Sequence, residues 1–237
     1  MGQTQEQDKL VELFTAHIDD INAIIDFYVE VYNGNYTLPD VSDPEVIAEK
    51  IEDPGYYWLL AKCEGKIIAS VIFAIDSVNN LGKSYAAAVS RDFRGNDIMH
   101  TMVRWAIEKL TVRTRRCDAI YATTRTLSFA PQKVLENIGF VSCGIFPNVR
   151  KVENFETHGL QVYFAPNCIE SRRKTPKLLP ELIDFYNIIK KDFNLEEPEL
   201  IELESKDPNK KGKKIDFSII TDLKEIVMKV QWNALMK

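Results

Sequence analysis

A chain of 237 residues is long enough for one large domain, or for one domain with a sizeable extension. Hydrophobic residues make up 45% of it and charged residues 27%, with 10 glycines and 10 prolines. This composition is that of an ordinary globular protein and excludes the fibrous and disordered classes. The formal net charge of -5 argues against a general nucleic-acid-binding protein, because such proteins need a basic surface.

The sequence supports neither a membrane segment nor a metal site. The longest uncharged apolar stretch, residues 67–75, is far shorter than the ~20 residues that a membrane-spanning helix needs. The amino terminus lacks the basic and apolar regions of a secretory signal, so we expect a cytoplasmic protein. The cysteines have no C-x-x-C spacing and the histidines are scattered, so we expect reduced, mostly buried thiols and no metal cofactor.

The amino-terminal part of the chain predicts two helices and a three-stranded meander. A short strand over residues 11–16 comes first. Apolar residues then recur at helical spacing over residues 18–32, and Asp43 caps a second helix over residues 44–51. Strand-like runs follow over residues 57–62, 66–75 and 83–90.

The next part alternates helices with strands. A helix over residues 98–110 buries one face, and a strand over residues 119–124 follows it, so we expect two parallel strands joined by this helix. Another helix runs from Pro131 to Asn137 and stops at Gly139. Two more strands, joined by a polar loop, are predicted over residues 140–146 and 160–164.

A change in charge near Pro166 suggests a domain boundary. Residues 1–166 hold 16 basic and 22 acidic residues, whereas residues 167–237 hold 14 and 13. We therefore predict one domain over residues 1–166 and a small α/β extension over residues 167–237. The extension is predicted to contain a helix, two strands and a short final helix, the first three over residues 180–193, 199–205 and 215–220.

The segment over residues 86–99 carries the clearest chemical signal. A strand enters an Arg-Gly loop that opens directly into a helix, so several backbone N–H groups and the positive end of the helix dipole point to one place. Phosphate is the natural ligand of such a site, and Arg94, together with Arg91, adds positive charge. An Arg-Gly turn at a helix start is also common as a purely structural feature.

This loop and the order of elements resemble the GNAT superfamily of N-acetyltransferases over roughly residues 10–165. The resemblance implies a mixed α/β fold in which helices flank a mostly antiparallel sheet. It also implies that the loop binds the pyrophosphate of acetyl-CoA. Asp97 and Met99 depart from the small residues usual at their positions, and Asp97 brings a carboxylate close to the phosphates unless its side chain turns away, for instance to cap the helix. The loop residues expected at the cofactor are Arg94, Gly95, Asn96, Asp97, Ile98 and Met99.

Residues 134–140 are similar to a second family segment, Leu-Tyr-Glu-Lys-x-Gly-Phe. Leu135 occupies the position at which many members have a tyrosine that protonates the leaving thiolate. Ser128 occupies the position of an asparagine that often contacts CoA. The resemblance places Lys133 and Arg125 near the 3′-phosphate of CoA.

The resemblance implies fewer catalytic groups than cofactor-binding residues. A backbone N–H near Val89 would polarise the thioester carbonyl. The strand over residues 84–90 contains no acid, so His158 is the candidate general base, with Glu156 acting through a water as another. A hydrogen-bonded loop residue is the alternative role for His158. Between the first two helices, Tyr32 and Tyr36 are expected to line the acceptor pocket, although core packing explains Tyr32 equally well.

Two functions follow from these residues. The first is an acyl-CoA-dependent N-acyltransferase that moves an acetyl group from acetyl-CoA to a primary amine of a small molecule by direct attack in a ternary complex. The second is a binding or regulatory module that keeps the fold without turnover and acts through residues 167–237, on a protein partner or in a homodimer. The acidic net charge mildly favours a cationic amine as acceptor.

Overall fold

The computed structural model describes residues 10–34, 38–151, 154–171 and 175–201 with their side chains, and the backbone of residues 216–221 and 226–231. The chain divides into two compact units. The first comprises Met1–Lys174 and Phe185–Glu196, and the second Thr175–Asp184 and Glu197–Lys237. The domain boundary expected near residue 166 stays a prediction.

Seven strands of the first unit form one mixed sheet in the order β1-β2-β3-β4-β5-β7-β6. Every neighbouring pair is antiparallel except β4 and β5, which are parallel as predicted. The strands are β1 Val11–Thr15, β2 Tyr56–Cys63, β3 Lys66–Asp76, β4 Leu81–Val89, β5 Ala119–Arg125, β6 Val141–Lys151 and β7 Phe155–Phe164.

Helices cover both faces of this sheet, which confirms the expected mixed α/β fold. Their bounds are α1 Ile21–Tyr32, α2 Pro44–Glu52, α3 Ile98–Ile107, α4 Phe129–Ile138 and α5 Ile183–Phe193. The Asp43 carboxylate accepts the backbone N–H of Glu45 at 3.0 Å, which begins α2 at Pro44 as predicted. Gly139, at φ 101°, ends α4 in the left-handed conformation that glycine adopts without strain.

Two apolar cores lie on the opposite faces because side chains alternate along each strand. Trp58 and Leu60 of β2 pack in the core that contains buried residues of α1 and α2. Leu59 of β2 and Ile120 of β5 pack in the core that contains buried residues of α3 and α4. The strands between the two helical layers are therefore buried on both faces, and their accessible parts are their ends.

The structure corrects three element boundaries. Helix α4 begins at Phe129, so Pro131 stands at its third position. Strands β6 and β7 form a long hairpin, and Glu156 and His158 lie within β7 instead of in a polar loop. A sheet-edge hairpin can extend in this way because a bulge, in which Pro147, Asn148 and Val149 lie opposite the single residue Thr157, absorbs the irregular sequence of β6.

Four short strands lie in the described residues of the second unit. β8, Lys177–Leu178, pairs in parallel with β9, Glu199–Leu200. β10, Asp216–Thr221, pairs antiparallel with β11, Ile226–Gln231. A short final helix was expected after the strand over residues 215–220. That prediction is wrong over residues 226–231, which form β11. The carboxyl-terminal part of the strand predicted over residues 199–205 lies outside the described residues.

In the part of the chain that the structure describes, no helix has both the length and the apolarity needed to cross a membrane.

Candidate active site

A β-bulge distorts β4 shortly before the Arg-Gly loop. Ile72 of β3 pairs with Tyr85 and Ser70 pairs with Ala88, so Ala86 and Ala87 share the place of one residue. Ala86 has φ 51°, a left-handed conformation that costs a residue with a side chain about 1–2 kcal/mol. Surrounding contacts must hold it there.

A buried hydrogen-bond network supplies those contacts. The Tyr28 hydroxyl donates to the carbonyl oxygen of Ala86 at 2.5 Å and lies 3.0 Å from Ser70 Oγ. Ser70 Oγ in turn accepts from Trp58 Nε1 at 2.8 Å. Tyr28, Ser70 and Trp58 are almost completely buried, so the bulge is tied to α1 and to the neighbouring strands.

Beyond the bulge, β4 and β5 separate. Their parallel pairing runs from Leu81 opposite Ala119 to Ser84 opposite Ala122 and ends there. β4 continues to Val89 and β5 continues to Arg125, so the final residues of both strands line a cleft between them. A narrow ligand that carries amide groups can enter such a cleft and bond to the unpaired strand edges.

The Arg-Gly loop lies at the mouth of this cleft. The Arg94 side chain is exposed, and its Nε donates to the carbonyl oxygen of Val89 at 3.2 Å. Gly95 has φ 82°, and a Cβ there would meet nothing within 4 Å. Asn96 Nδ2 donates to the carbonyl oxygen of Phe93 at 3.2 Å. The loop is therefore held by its own polar groups and leaves its outer side open to a ligand.

Helix α3 begins without a side-chain cap. Asp97 occupies the cap position at φ 53°, but its carboxylate makes no capping hydrogen bond; only its backbone carbonyl acts, accepting from Thr101 N at 2.9 Å. The capping role considered for the Asp97 side chain is therefore wrong. Ile98 is buried and Met99 is half-buried against the core, so neither side chain fills the space in front of the helix. The first N–H groups of α3 stay available to an anion.

The candidate site residues in and next to α4 differ in exposure. Ser128 is the exposed cap residue of α4 and makes no side-chain capping bond. Lys133 is paired with Glu136, Nζ to Oε2 at 2.9 Å, on the exposed face of the helix. Leu135 is 7% exposed and packs in the core beside α3. An apolar core residue thus stands where the family often has a proton donor.

Glu156 and His158 lie side by side on one face of β7. Arg125 donates two hydrogen bonds to Glu156, Nε to Oε2 at 2.7 Å and a terminal nitrogen to Oε1 at 2.5 Å. These bonds hold the pKa of the Glu156 carboxyl below its ordinary value despite its burial. A carboxylate that is paired in this way is a weak base. The position of Arg125 near the 3′-phosphate of CoA stays a prediction.

His158 is 8% exposed, and its Nε2 is buried without a hydrogen-bond partner. Oε2 of Glu156 lies 3.6 Å from this nitrogen, which is longer than a hydrogen bond but within ion-pair distance. An orphaned buried nitrogen costs free energy, so it is an unusual feature for a purely structural histidine. A polar group of a ligand could satisfy this nitrogen.

Tyr32 lies within the electrostatic influence of arginines from the Arg-Gly loop and from strands β5 and β6. It is the last residue of α1, and its ring stacks on Tyr28 with ring centroids 6.3 Å apart. Burial raises the pKa of its hydroxyl, while the charges of Arg125, Arg94 and Arg150 act in the opposite direction. The hydroxyl thus lies within electrostatic reach of the loop and of the β5–β7–β6 surface. Tyr36, the other predicted acceptor residue, lies outside the described residues.

The sequence of this chain matches a known protein family. The model of the acetyltransferase (GNAT) family matches residues 21–140, about half of the chain. This chain belongs to the GNAT family. Its members are acetyltransferases that use acetyl-CoA, and the matched segment contains the β4 bulge, the cleft and the Arg-Gly loop. No curated protein sequence matches the chain.

Solved structures share the GNAT fold at low sequence identity. The ribosomal-protein-S5-alanine acetyltransferase from Vibrio fischeri is 16% identical, with a TM-score of 0.59 over 68% of this chain and 96% of that one. A variant of the spermidine N-acetyltransferase from Vibrio cholerae is 12% identical, with a TM-score of 0.57 over 67% and 95%. A ribosomal L7/L12 alpha-N-protein acetyltransferase in complex with coenzyme A is 14% identical, with a TM-score of 0.57 over 67% and 96%. Their acceptors differ, so the fold does not specify the acceptor of this GNAT protein.

The GNAT cleft is distinct from a second concave region of the described surface. That region, about 380 Å³ in volume, lies at the opposite end of the sheet, where Tyr56, Lys83 and Tyr121 sit on neighbouring strands. None of the residues that carry the family resemblance lines it. In the described part of the chain, no group of three or more metal-ligating side chains is present.

Sequence analysis missed two features of this GNAT site. The Tyr28–Ser70–Trp58 network was not predicted, because Tyr28 and Trp58 fit ordinary apolar patterns. Ser70, a polar residue within the apolar strand β3, is the sequence feature that indicates it. Arg150 was also missed. It was assigned to no element, because the bulge that turns it towards Glu156 is not visible in the hydrophobic pattern.

Proposed function

We propose that this protein is an N-acetyltransferase that transfers the acetyl group of acetyl-CoA to a primary amine of a small molecule, by direct attack in a ternary complex. The observation that carries the proposal is the uncapped start of α3 beside the opening between β4 and β5. Free N–H groups suit the pyrophosphate, and the cleft suits the pantetheine arm with its thioester. Ser128 and Lys133, at the start of α4, are proposed to contact the nucleotide end.

The chemistry requires three events. The amine must lose a proton, the thioester carbonyl must be polarised as its oxygen gains charge, and the thiolate of CoA must leave. We assign the second to the backbone around Val89, the last residue of β4. We assign the first to His158, because an imidazole is a common general base in proteins and because its Nε2 is buried without a hydrogen-bond partner.

Glu156 is proposed to act through His158. Its carboxylate is kept ionised by Arg125, and it lies 3.6 Å from His158 Nε2. A negative charge at this distance stabilises the imidazolium that forms when His158 takes the proton. Replacement of His158 by Gln is expected to lower kcat while acetyl-CoA affinity is retained.

The decisive experiment is a calorimetric titration with acetyl-CoA and with desulfo-CoA, on the wild-type protein and on Arg94→Glu. Arg115→Glu, an exposed arginine remote from the loop in sequence, is the matched charge-reversal control. Micromolar binding that is lost only in Arg94→Glu supports the proposal. An amine screen that detects the free thiol of CoA then tests turnover. Absence of binding at millimolar ligand refutes the proposal.

A module without turnover is the second candidate. The observation that favours it is Leu135, which is buried in the core at the position of the family's frequent proton donor. Such a module would act through the carboxyl-terminal residues 167–237, in which β10 could join the sheet of a partner or of a second copy. Acetyl-CoA binding without thiol release with any amine would support this function, and light scattering would measure the homodimer.

The proposed compartment is the cytoplasm. All four cysteines are free, and burial raises the pKa of the Cys117 thiol to about 11. Free thiols persist in a reducing compartment. Fractionation of cells that express the tagged chain would test this assignment.

A further inference from the structure

A compact group of charged residues lies on one face of the sheet, on strands β5, β6 and β7. Arg125 of β5 lies directly opposite His158 of β7, and Arg150 of β6 lies directly opposite Glu156 of β7. Residues that oppose each other in antiparallel strands project from the same face. Glu156 and His158 are two apart in β7 and share that face, so the four side chains form one cluster. The electrostatic influence of Arg125 and Arg150 on Tyr32 extends the cluster to the end of α1.

The charges of this cluster do not balance. Arg125 and Glu156 neutralise each other through two hydrogen bonds. Arg150 is half-buried, and among the described residues no carboxylate lies within ion-pair distance of it. A guanidinium that is partly withdrawn from water without a counter-ion is costly, which points to an anion supplied by a ligand.

A second observation points to a ligand independently. His158 Nε2 is buried, has no hydrogen-bond partner and lies on the same face as Arg150. A ligand that brings both a polar group to His158 and an anionic group to Arg150 would satisfy the two features together. The bulge in β6 has the effect of placing Arg150 opposite Glu156, two residues along β7 from His158.

We propose that the acceptor is a small amine that also carries one carboxylate, bound by Arg150, with its amino group directed towards His158. This inference rests on the proposed acetyltransferase function and names its substrate class. A single carboxylate matches the guanidinium of Arg150, which pairs with no carboxylate of the described residues and whose planar fork binds carboxylates in bidentate fashion. A phosphate would bring further negative charge close to Glu156, and a polyamine would place cations against Arg150. The local charge thus favours the opposite acceptor from the one that the acidic net charge suggested.

The test measures acceptor binding directly. Glycine, β-alanine, γ-aminobutyrate and the common L-amino acids are titrated into the protein saturated with CoA, each beside its carboxamide. Spermidine and phosphoethanolamine complete the panel. The variants are Arg150→Gln and Arg150→Lys, and Arg115→Gln is the control that removes the same charge from an exposed loop residue outside the cluster. Thermal unfolding verifies that each variant is folded.

At least one amino acid is expected to bind about tenfold to hundredfold more tightly than its carboxamide, which is the usual worth of a charge-assisted hydrogen bond. Arg150→Gln removes that preference, Arg150→Lys restores part of it, and Arg115→Gln leaves it unchanged. Equal binding of acids and carboxamides, or a preference for spermidine or phosphoethanolamine, overturns the inference.

The outcome is separable from that of the proposed function. Selective binding of the carboxylate without release of CoA thiol would refute turnover and retain the carboxylate site. Turnover with carboxamides as good as with acids would retain the transferase and refute the site. If acetyl-CoA itself does not bind, the same panel is titrated into the unliganded protein, and loss of selectivity in Arg150→Gln remains the criterion.

Discussion

Replacement of Tyr28 by Phe removes one oxygen atom from the network that holds the β4 bulge. The hydroxyl donates to the carbonyl oxygen of Ala86 at 2.5 Å and lies 3.0 Å from Ser70 Oγ. Because the Tyr28 proton is used by Ala86 and Ser70 already accepts from Trp58, the Ser70 hydroxyl is left to donate to Tyr28. The variant therefore leaves the partly buried carbonyl of Ala86 without this donor and the buried hydroxyl of Ser70 without one of its two partners.

The expected loss follows from that count. A buried polar group that loses its partner costs about 1–3 kcal/mol, so we expect the free energy of unfolding to fall by that amount. The φ of 51° at Ala86 is itself unfavourable, so the bulge has less support in the variant. If the bulge relaxes towards regular pairing, the cleft between β4 and β5 narrows and acetyl-CoA binds more weakly. Each loss of about 1.4 kcal/mol in binding free energy lowers the affinity about tenfold.

Urea unfolding followed by far-ultraviolet circular dichroism measures the first effect, and calorimetry with acetyl-CoA measures the second. Tyr121→Phe is the matched control, because the structure gives the half-buried Tyr121 hydroxyl no hydrogen bond among the described residues. We expect the control to lie within about 0.5 kcal/mol of the wild type. A Tyr28→Phe protein as stable as Tyr121→Phe would refute the role of the network.

Three further predictions concern other parts of the molecule. Hydrogen bonds from Arg125 lower the pKa of Glu156 from its ordinary value of 4.5, so the pair stabilises the folded protein above that pH and less as the pH falls through the folded-state pKa. The stability difference between wild type and Glu156→Gln, measured by urea unfolding, should therefore shrink below about pH 5, and a constant difference would count against the pair. Burial raises the pKa of Cys117 to about 11, so mass spectrometry should find it alkylated at pH 8 only after unfolding; rapid labelling of the native protein would contradict this. Asp97→Gly removes an exposed carboxylate and places a glycine at φ 53°, which glycine adopts without strain. Acetyl-CoA binding, measured by calorimetry, should become about twofold to fivefold tighter. Unchanged or weaker binding would show that Asp97 does not repel the phosphates.

Local sequence signals predicted most of the fold. The start of α2 at Pro44 and the end of α4 at Gly139 depend on proline and glycine geometry, which acts within a few residues. The apolar runs of β2 and β3 are buried on both faces and read clearly as strands. The same local logic identified the Arg-Gly loop, because its chemistry belongs to consecutive residues. It failed in β6, where a bulge breaks the alternation of side chains, and in the carboxyl-terminal strand β11.

The sequence by itself determined most of the elements, the family resemblance and the loop with free N–H groups for a phosphate, since each depends on neighbouring residues. Only the tertiary structure decided the pairing of Arg125 with Glu156, the burial of His158 Nε2 and the position of Arg150 opposite Glu156. These contacts join strands that are distant in sequence, and their partners depend on sheet register and on a bulge. A shift of one residue in register would turn Arg150 to the other face, and no pattern within a single strand specifies that register.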